Sequence, residues 1–322
     1  MNKIHEKSPC CNVSIRRFGE RRRQCALCHK TWRVWKRRKG RKRKRMSDSS
    51  LFKYLKGGAI YTKLNKKTYS ARLRCMLRDF NKKTQWIDAP NGALIVVADA
   101  IIDFFKGKPY TVYFILVRGI LSSEACILPP YMRAGPETAQ GWEEAFDRIP
   151  QDIFKRICAL VCDGHPGLVT LTRTFRWLLQ RCHFHLLASL SHRISFRPKG
   201  KTSEMGLKIK KLVQIVLYQK NNSIIVSALR ELDEIKNQVR SRHLKSVLSG
   251  FLKHYEDFRT YIKFPEYFLP NTTNSAEFFN SRIRDLQYRA RGFRTPSSFF
   301  MWVVGLCKYQ KKITCRHKNQ PN

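Results

Sequence analysis

Three acidic residues stand where their spacing and surroundings could do chemistry together. Asp99 closes the apolar run Ala93 to Ala98, Asp163 follows the run Ile157 to Cys162, and Glu277 lies within Thr272 to Phe293, TTNSAEFFNSRIRDLQYRARGF. Three carboxylates offer hard oxygen donors of the kind that hold Mg²⁺ or Mn²⁺. A pair of such ions can hold the attacking and leaving oxygens of a phosphodiester during an in-line displacement. Singly, each residue has a plainer use, since a strand-end aspartate caps a loop and a first-turn glutamate answers the helix dipole. Asp103, four residues past Asp99, is an alternative first carboxylate, placed beyond the expected strand end.

The elements that must position these groups can be read from the flanking text. The two short apolar runs are bounded by Asn91-Gly92 and by Gly164 and fit strands buried on both faces, with each aspartate at a C-terminal strand end, where open α/β sheets bind ligands. Asn274 and Ser275 are N-cap residue types, and Ala276, Phe279, Ile283 and Leu286 recur at helical spacing, so Glu277 falls in a first helical turn. The interval from Asp99 to Asp163 has room for strands Tyr110 to Arg118 and Glu124 to Leu128 and for a helix Glu137 to Arg148, with Trp142 read as core. The interval from Asp163 to Glu277 is too long for a simple crossover and fits an inserted helical domain. Within it, Leu207, Ile209, Leu212, Val213 and Val216, then Ile224, Ala228, Leu232, Ile235 and Val239, recur at helical spacing.

Between the second aspartate and the glutamate lies Gln180-Arg181-Cys182 with His185 three after the cysteine. With Asp163-Gly164-His165 before it, and Thr272-Thr273-Asn274, Glu277, Asn280, Arg289, Arg291, Gly292 and Phe293 after it, the chain resembles the Mutator-like superfamily of DDE transposases of bacterial insertion sequences. That superfamily carries an Asp-Gly strand end, a Q-R-C-x-x-H box, a helical insertion and a closing T-T-N-x-x-E-x-x-N segment. The resemblance covers roughly residues 90–305. It implies an α/β, RNase H-like catalytic domain at 90–307 with an all-helical insertion at about 188–270. It implies Asp99, Asp163 and Glu277 as catalytic and metal-holding residues, a two-metal Mg²⁺ or Mn²⁺ site, and strand cleavage followed by strand transfer without a covalent protein intermediate. Cys182 and His185 could be half of a zinc site, or could support the active site with Asn280. His165 could touch a phosphate or merely cap its turn.

The amino terminus carries separate chemistry. Cys25-Ala26-Leu27-Cys28, followed by Lys30, Thr31 and Trp32, has the style of the second half of a zinc ribbon. The first half falls on Ser8-Pro9-Cys10-Cys11, where Cys11 takes the second ligand position and Ser8 stands in place of the first. Cys10 could substitute with a shifted backbone, and His5 or His29 are spare candidates. This module is placed at 1–35. Next comes KRRKGRKRKR, Lys36 to Arg45, with nine basic residues of ten, a self-repelling block that reads as a disordered arm along phosphates. A nuclear-localisation reading of it is weaker. From 47 to 85, short apolar periodicities (Leu51, Tyr54, Leu55; Ile60, Leu64; Tyr69, Leu73, Leu77) with Gly57-Gly58 between the first two fit a helix-turn-helix. Its recognition helix would run from Ser70 to Phe80, with Arg72, Arg74 and Arg78 as DNA contacts. A plain helical linker is the alternative.

Charge agrees. Lys and Arg number 64 against 23 acidic residues, a formal net charge of +41, which implies a polyanion partner. Arg282, Arg284, Arg289, Arg291 and Arg294 carry the excess along and beyond the glutamate helix. Membrane attraction is the competing use of such charge, but the longest apolar runs are too short to span a bilayer. Eleven cysteines, an odd number, and no recognisable signal peptide suit a reduced, cytoplasmic, nucleoid-associated protein. The expected partners are DNA, as element ends and target, and further copies of the chain in a homo-dimer or higher oligomer on that DNA. The tail 308–322 is expected to fray. A nuclease without strand transfer and a transposase-derived regulator are the rival functions.

Overall fold

The computed structural model describes residues 7–19, 22–33, 48–58, 66–193 and 201–315. The basic block at Lys36 to Arg45, His5, and the Ile60 and Leu64 positions lie outside them. The chain forms two compact units, Met1–Ser47 and Asp48–Asn322. In the first, β1 (Ile15–Arg17), β2 (Arg22–Cys25) and β3 (Thr31–Arg33) make a small antiparallel sheet.

The second unit begins with α1 (Asp48–Leu55) and α2 (Lys66–Lys83), followed by β4 (Leu94–Phe105), β5 (Lys108–Gly119), β6 (Glu124–Ile127) and β7 (Tyr131–Ala134). Then come α3 (Ala139–Phe146), α4 (Gln151–Phe154), β8 (Ile157–Cys162), α5 (Pro166–Thr174) and β9 (Leu178–Arg181). A helical segment follows: α6 (His183–Arg193), α7 (Lys201–Tyr218), α8 (Asn222–Gln238), α9 (Arg242–His254) and the short α10 (Thr260–Lys263). The chain returns through α11 (Asn274–Ala290), α12 (Pro296–Gln310) and β10 (Lys312–Thr314). The seven-stranded sheet has the order β10-β6-β5-β4-β8-β9, with β7 also on β5. It is mixed: β4 is antiparallel to β5 and parallel to β8, and β8 is parallel to β9.

Alternation along β4 feeds two cores. Ile95, Val97, Ile101 and Phe105 pack with Phe279 and Ile283 of α11 and Phe299 and Val303 of α12. Leu94, Val96 and Ala98 pack on the other face with Trp142 of α3 and Leu168 of α5. A third core, built around Leu190, Val213, Leu232 and Leu248, joins α6 to α9.

Several expectations are corrected here. Asp99 is not at a strand end: β4 runs on to Phe105 and turns into β5 through Lys106 and Gly107, both at positive φ (51° and 77°). A two-residue turn of that handedness suits the twist of a hairpin. Pairing with β8 covers only Leu94 to Val97, so Asp99 lies just past the end of the neighbouring strand. Besides the two expected helices, α7 and α8, the helical segment holds α6, α9 and the short α10, and the sheet holds a further strand, β7, none of them expected. Leu207 and Ile224 are exposed rather than core.

The supposed recognition helix is part of a longer one, Lys66–Lys83. With α1 it packs on α12, where Phe52 stacks on Tyr309 (5.7 Å) and Tyr54 meets Trp302 (5.2 Å). Asn81 Nδ2 donates to the Met301 carbonyl at 2.9 Å. Residues 308–315 do not fray: they finish α12 and add β10 to the edge of β6. Among the described residues no helix is long and apolar enough to cross a membrane.

Candidate active site and cysteine cluster

Two adjacent strands and one crossing helix bring the predicted acidic residues together. Asp99 faces α11 because it shares the β4 face of Val97 and Ile101, and Asn280 Nδ2 donates to its Oδ2 at 2.7 Å. The Ala100 N–H donates to Oδ1 at 2.9 Å. Asp163 follows the last residue of β8, and its Oδ1 accepts the His165 N–H at 2.9 Å. Glu277 is in the first turn of α11, where His185 Nε2 stands 2.8 Å from its Oε1. The N-cap of α11 is Thr273, not Asn274 or Ser275, and it makes no side-chain cap. Its backbone N–H and hydroxyl instead donate to the buried Cys182 sulfur, each at 3.2 Å.

The groups feel one another's charge. Burial, and then the Glu277 charge, push Asp99 up to about 7; Asp163 adds to the rise, while the Ala100 N–H and His185 oppose it. Hydrogen bonds to Cys182 and Glu277 raise His185 to about 11 against its own desolvation. Burial raises the Cys182 thiol, but bonds from His185 and Thr273 together outweigh it and the net direction is down. Among the described residues, the group of ligating side chains whose donor atoms all lie within 4.8 Å of one another is the cysteine set described below.

His165 is the N-cap of α5: its Nδ1 accepts the Gly167 N–H at 3.1 Å. Two neighbours of Asp163 had no role at the site assigned from the sequence. Glu137 Oε1 accepts the Trp142 Nε1–H at 2.8 Å and lies 4.0 Å from His165 Nδ1. Burial raises the Glu137 carboxyl, the Trp142 bond opposes this, and the Asp163 charge adds to it. Arg181, over the Phe258 ring at 4.8 Å, packs against Gly164, where a Cβ would fall on the guanidinium. Arg181 stands inside the Q-R-C-x-x-H box and Glu137 at the expected start of a helix, so position was the available signal for both.

The basic residues divide. Arg282 donates to the Leu55 and Lys56 carbonyls (3.2 and 2.9 Å), and Arg289 to the Tyr54 carbonyl (2.5 Å), so both cap the C-terminal end of α1. Arg74, Arg78, Arg284, Arg291 and Arg294 are exposed, and Arg72 is half-buried. Asp103, the alternative first carboxylate, accepts from Gln287 Nε2 at 2.7 Å, further along the same helix.

In the N-terminal unit, the sulfurs of Cys10, Cys11, Cys25 and Cys28 lie within 4.8 Å of one another. Tetrahedral zinc with Zn–S near 2.3 Å would need sulfurs about 3.8 Å apart. Cys10 and Cys28 sulfurs are 3.3 Å apart. The Cys28 N–H, at 3.5 Å, and then the Ser8 hydroxyl, at 3.3 Å, pull Cys25 down to about 6. Ser8 itself is buried and also accepts from the Cys11 and Val13 N–H groups. The chain thus puts Cys10 with Cys11 in the cluster while Ser8 braces the turn beneath it.

No curated protein matches the chain. Among solved structures, a Drosophila P element transposase strand transfer complex is similar to it, with 10% identity and a TM-score of 0.46 over 85% of this chain and 94% of that one. The family model described as transposase, Mutator family, matches residues 126–312, a stretch that includes Asp163, the Cys182/His185 box and Glu277. That match spans more than half of the sequence, and the chain belongs to the Mutator family of transposases.

Proposed function

We propose that this chain is a DNA transposase that binds the ends of its element and catalyses metal-dependent strand cleavage and strand transfer at Asp99, Asp163 and Glu277. The observation that carries this reading is that Asn280 of α11, one turn after Glu277, holds the Asp99 carboxylate of β4 at 2.7 Å, while Asp163 follows the end of the neighbouring strand β8. Carboxylates crowded in this way are relieved by cations, and an all-oxygen set suits Mg²⁺ or Mn²⁺. Two such ions would hold the attacking and leaving oxygens of the phosphodiester. When bound, the cations supply Lewis acidity and neutralise the charge that develops on the phosphate.

The chain's own groups orient and surround that site. Asn280 fixes the Asp99 carboxylate, His185 fixes that of Glu277, and the His165 N–H fixes that of Asp163. Arg181, beside Gly164, is a cation within reach of a phosphate approaching Asp163. The two steps have the same bond chemistry. In the first, water attacks a phosphodiester and the bond to the 3′-oxygen breaks; in the second, the freed 3′-hydroxyl attacks a target phosphodiester and expels another 3′-oxygen. The sheet and helices fit an RNase H-like domain interrupted by a helical insertion. Cys10, Cys11, Cys25 and Cys28 hold zinc in a ribbon-like module, and α1 and α2 with exposed Arg74 and Arg78 bear on DNA. A dimer or higher assembly on paired ends is expected, because two ends must join one target.

The test is strand transfer on a labelled duplex carrying the DNA that flanks the gene, with Mn²⁺ or Mg²⁺. Joined products that vanish with Asp163→Ala support the proposal. Cleavage without joining would favour a nuclease, and tight binding with neither would favour a regulator.

A further inference from the structure

The Q-R-C-x-x-H box is bonded almost entirely to the far end of the helical segment that it opens. Gln180 Nε2 donates to the Phe258 carbonyl at 3.0 Å, and Gln180 Oε1 accepts the Tyr261 N–H at 2.8 Å. The next residue but two, His183, is buried; its Nε2 pairs with the Phe258 carbonyl at 2.7 Å and its N–H donates to the Asn271 carbonyl at 2.9 Å. Cys182 takes both Thr273 donors, and His185 Nδ1 lies 3.5 Å from the Thr273 hydroxyl. The helices α6 to α10 therefore leave and re-enter the sheet through one gate. On one side stand Gln180 to His185, on the other Phe258 to Glu277.

We infer that Cys182 and His185 are positioning residues that, with Thr273, clasp the two ends of the helical insertion together and hold the Glu277 carboxylate in its working orientation. This rests on the reading of Glu277 as a metal-holding residue. Three geometric facts lead here. The N-cap position of α11 has forgone its own cap so that Thr273 can bond the Cys182 sulfur. A cap lost in this way costs about 1 kcal/mol, which marks the sulfur contact as the favoured use of that hydroxyl. The Cys182 sulfur is fully buried, so the thiol is placed to receive hydrogen bonds rather than to react. Finally, His185 occupies only one Glu277 oxygen, at 2.8 Å, which leaves the other for a cation. A ligand carboxylate held from behind by a ring N–H is a familiar outer-shell arrangement, and losing such a partner costs 10–100-fold in metal affinity or activity.

The experiment uses the full chain and three readouts: Mn²⁺ affinity by titration without DNA, amide exchange of residues 273–280 without metal, and kcat and KM for cleavage of the end duplex. His185→Ala should weaken Mn²⁺ binding and lower kcat about 10–100-fold, hasten exchange in the first turn of α11, and leave KM for DNA unchanged. His185→Gln, which keeps a donor toward Glu277, should recover most of the loss. Cys182→Ser should stay near wild type, and Cys182→Val, which removes the acceptor for both Thr273 donors, should reproduce the His185→Ala pattern. If His185→Ala does not fold, the Cys182 pair decides the matter. Wild-type exchange and Mn²⁺ affinity in His185→Ala and Cys182→Val, with Glu277→Ala inactive, would overturn the clasp alone. A raised KM that glutamine does not rescue would overturn it in favour of a DNA contact. An active Glu277→Ala with unchanged Mn²⁺ affinity would overturn the reading of Glu277, and the clasp with it.

Discussion

Asp99 is the residue whose chemistry is most exposed to measurement. Its carboxyl is held at about 7, against an ordinary 3.8, chiefly by burial and then by the Glu277 charge. Between those values the metal-free folded protein keeps a proton that the unfolded chain has lost. Stability from this group is therefore fully present below about pH 4 and is gone once pH has risen through about 7. Melting curves in chelator should show Asp99→Asn gaining on the wild type as pH rises from 4 to 8. A constant difference between the two across that range would contradict the placement of Asp99 beside Glu277 and Asp163. Cation binding must displace that proton, so Mn²⁺ affinity should climb over the same interval.

The elements explain which features were legible beforehand. Asp163 and Glu277 were, because a short apolar run ending in Asp-Gly and a 3.6-residue periodicity are local signals. Asp99 was found by the same kind of signal but misplaced within its strand. Ala100 to Phe105 interrupts the apolar run with Asp103 and turns at Lys106-Gly107, a hairpin whose first residue is not the usual Asn or Asp. The pairing partner of Ser8 could not be read at all, because it is a sulfur seventeen residues away. Similarly, α1 and α2 have the pattern of an independent helix pair, but their buried faces belong to α12, a contact across the length of the chain. That docking is specific: a Cβ at Gly305 would fall on Leu77 Cδ1. Leu77→Ala, at a fully buried site, should cost about 2–5 kcal/mol. Gly141→Ala should also destabilise, by about 1–3 kcal/mol, since its Cβ would overlap the Tyr113 hydroxyl that accepts the Thr138 N–H. Chemical denaturation checks both, and a neutral Leu77→Ala would mean that α2 is not part of this core.

At the scale of the whole molecule, two units carry two separate metal expectations. The N-terminal unit should bind one zinc per chain, measured by metal analysis of the purified protein. Cys11→Ser should lose it, and Cys75→Ser, an exposed cysteine outside the cluster, should not. The net charge of +41 should make binding to duplex DNA steeply salt-dependent. If about ten cations displace counterions, the log-log slope is about −9. The central claim is that Asp99, Asp163 and Glu277, far apart in sequence, form one cation site. Its most direct test is to load the protein with Fe²⁺, generate hydroxyl radicals with ascorbate and peroxide, and map the backbone cuts. Cuts clustered near all three residues, suppressed by excess Mg²⁺ and by Asp163→Ala, are the expected result. Cuts confined to one of the three segments, or unaffected by Mg²⁺ and the substitution, would contradict it.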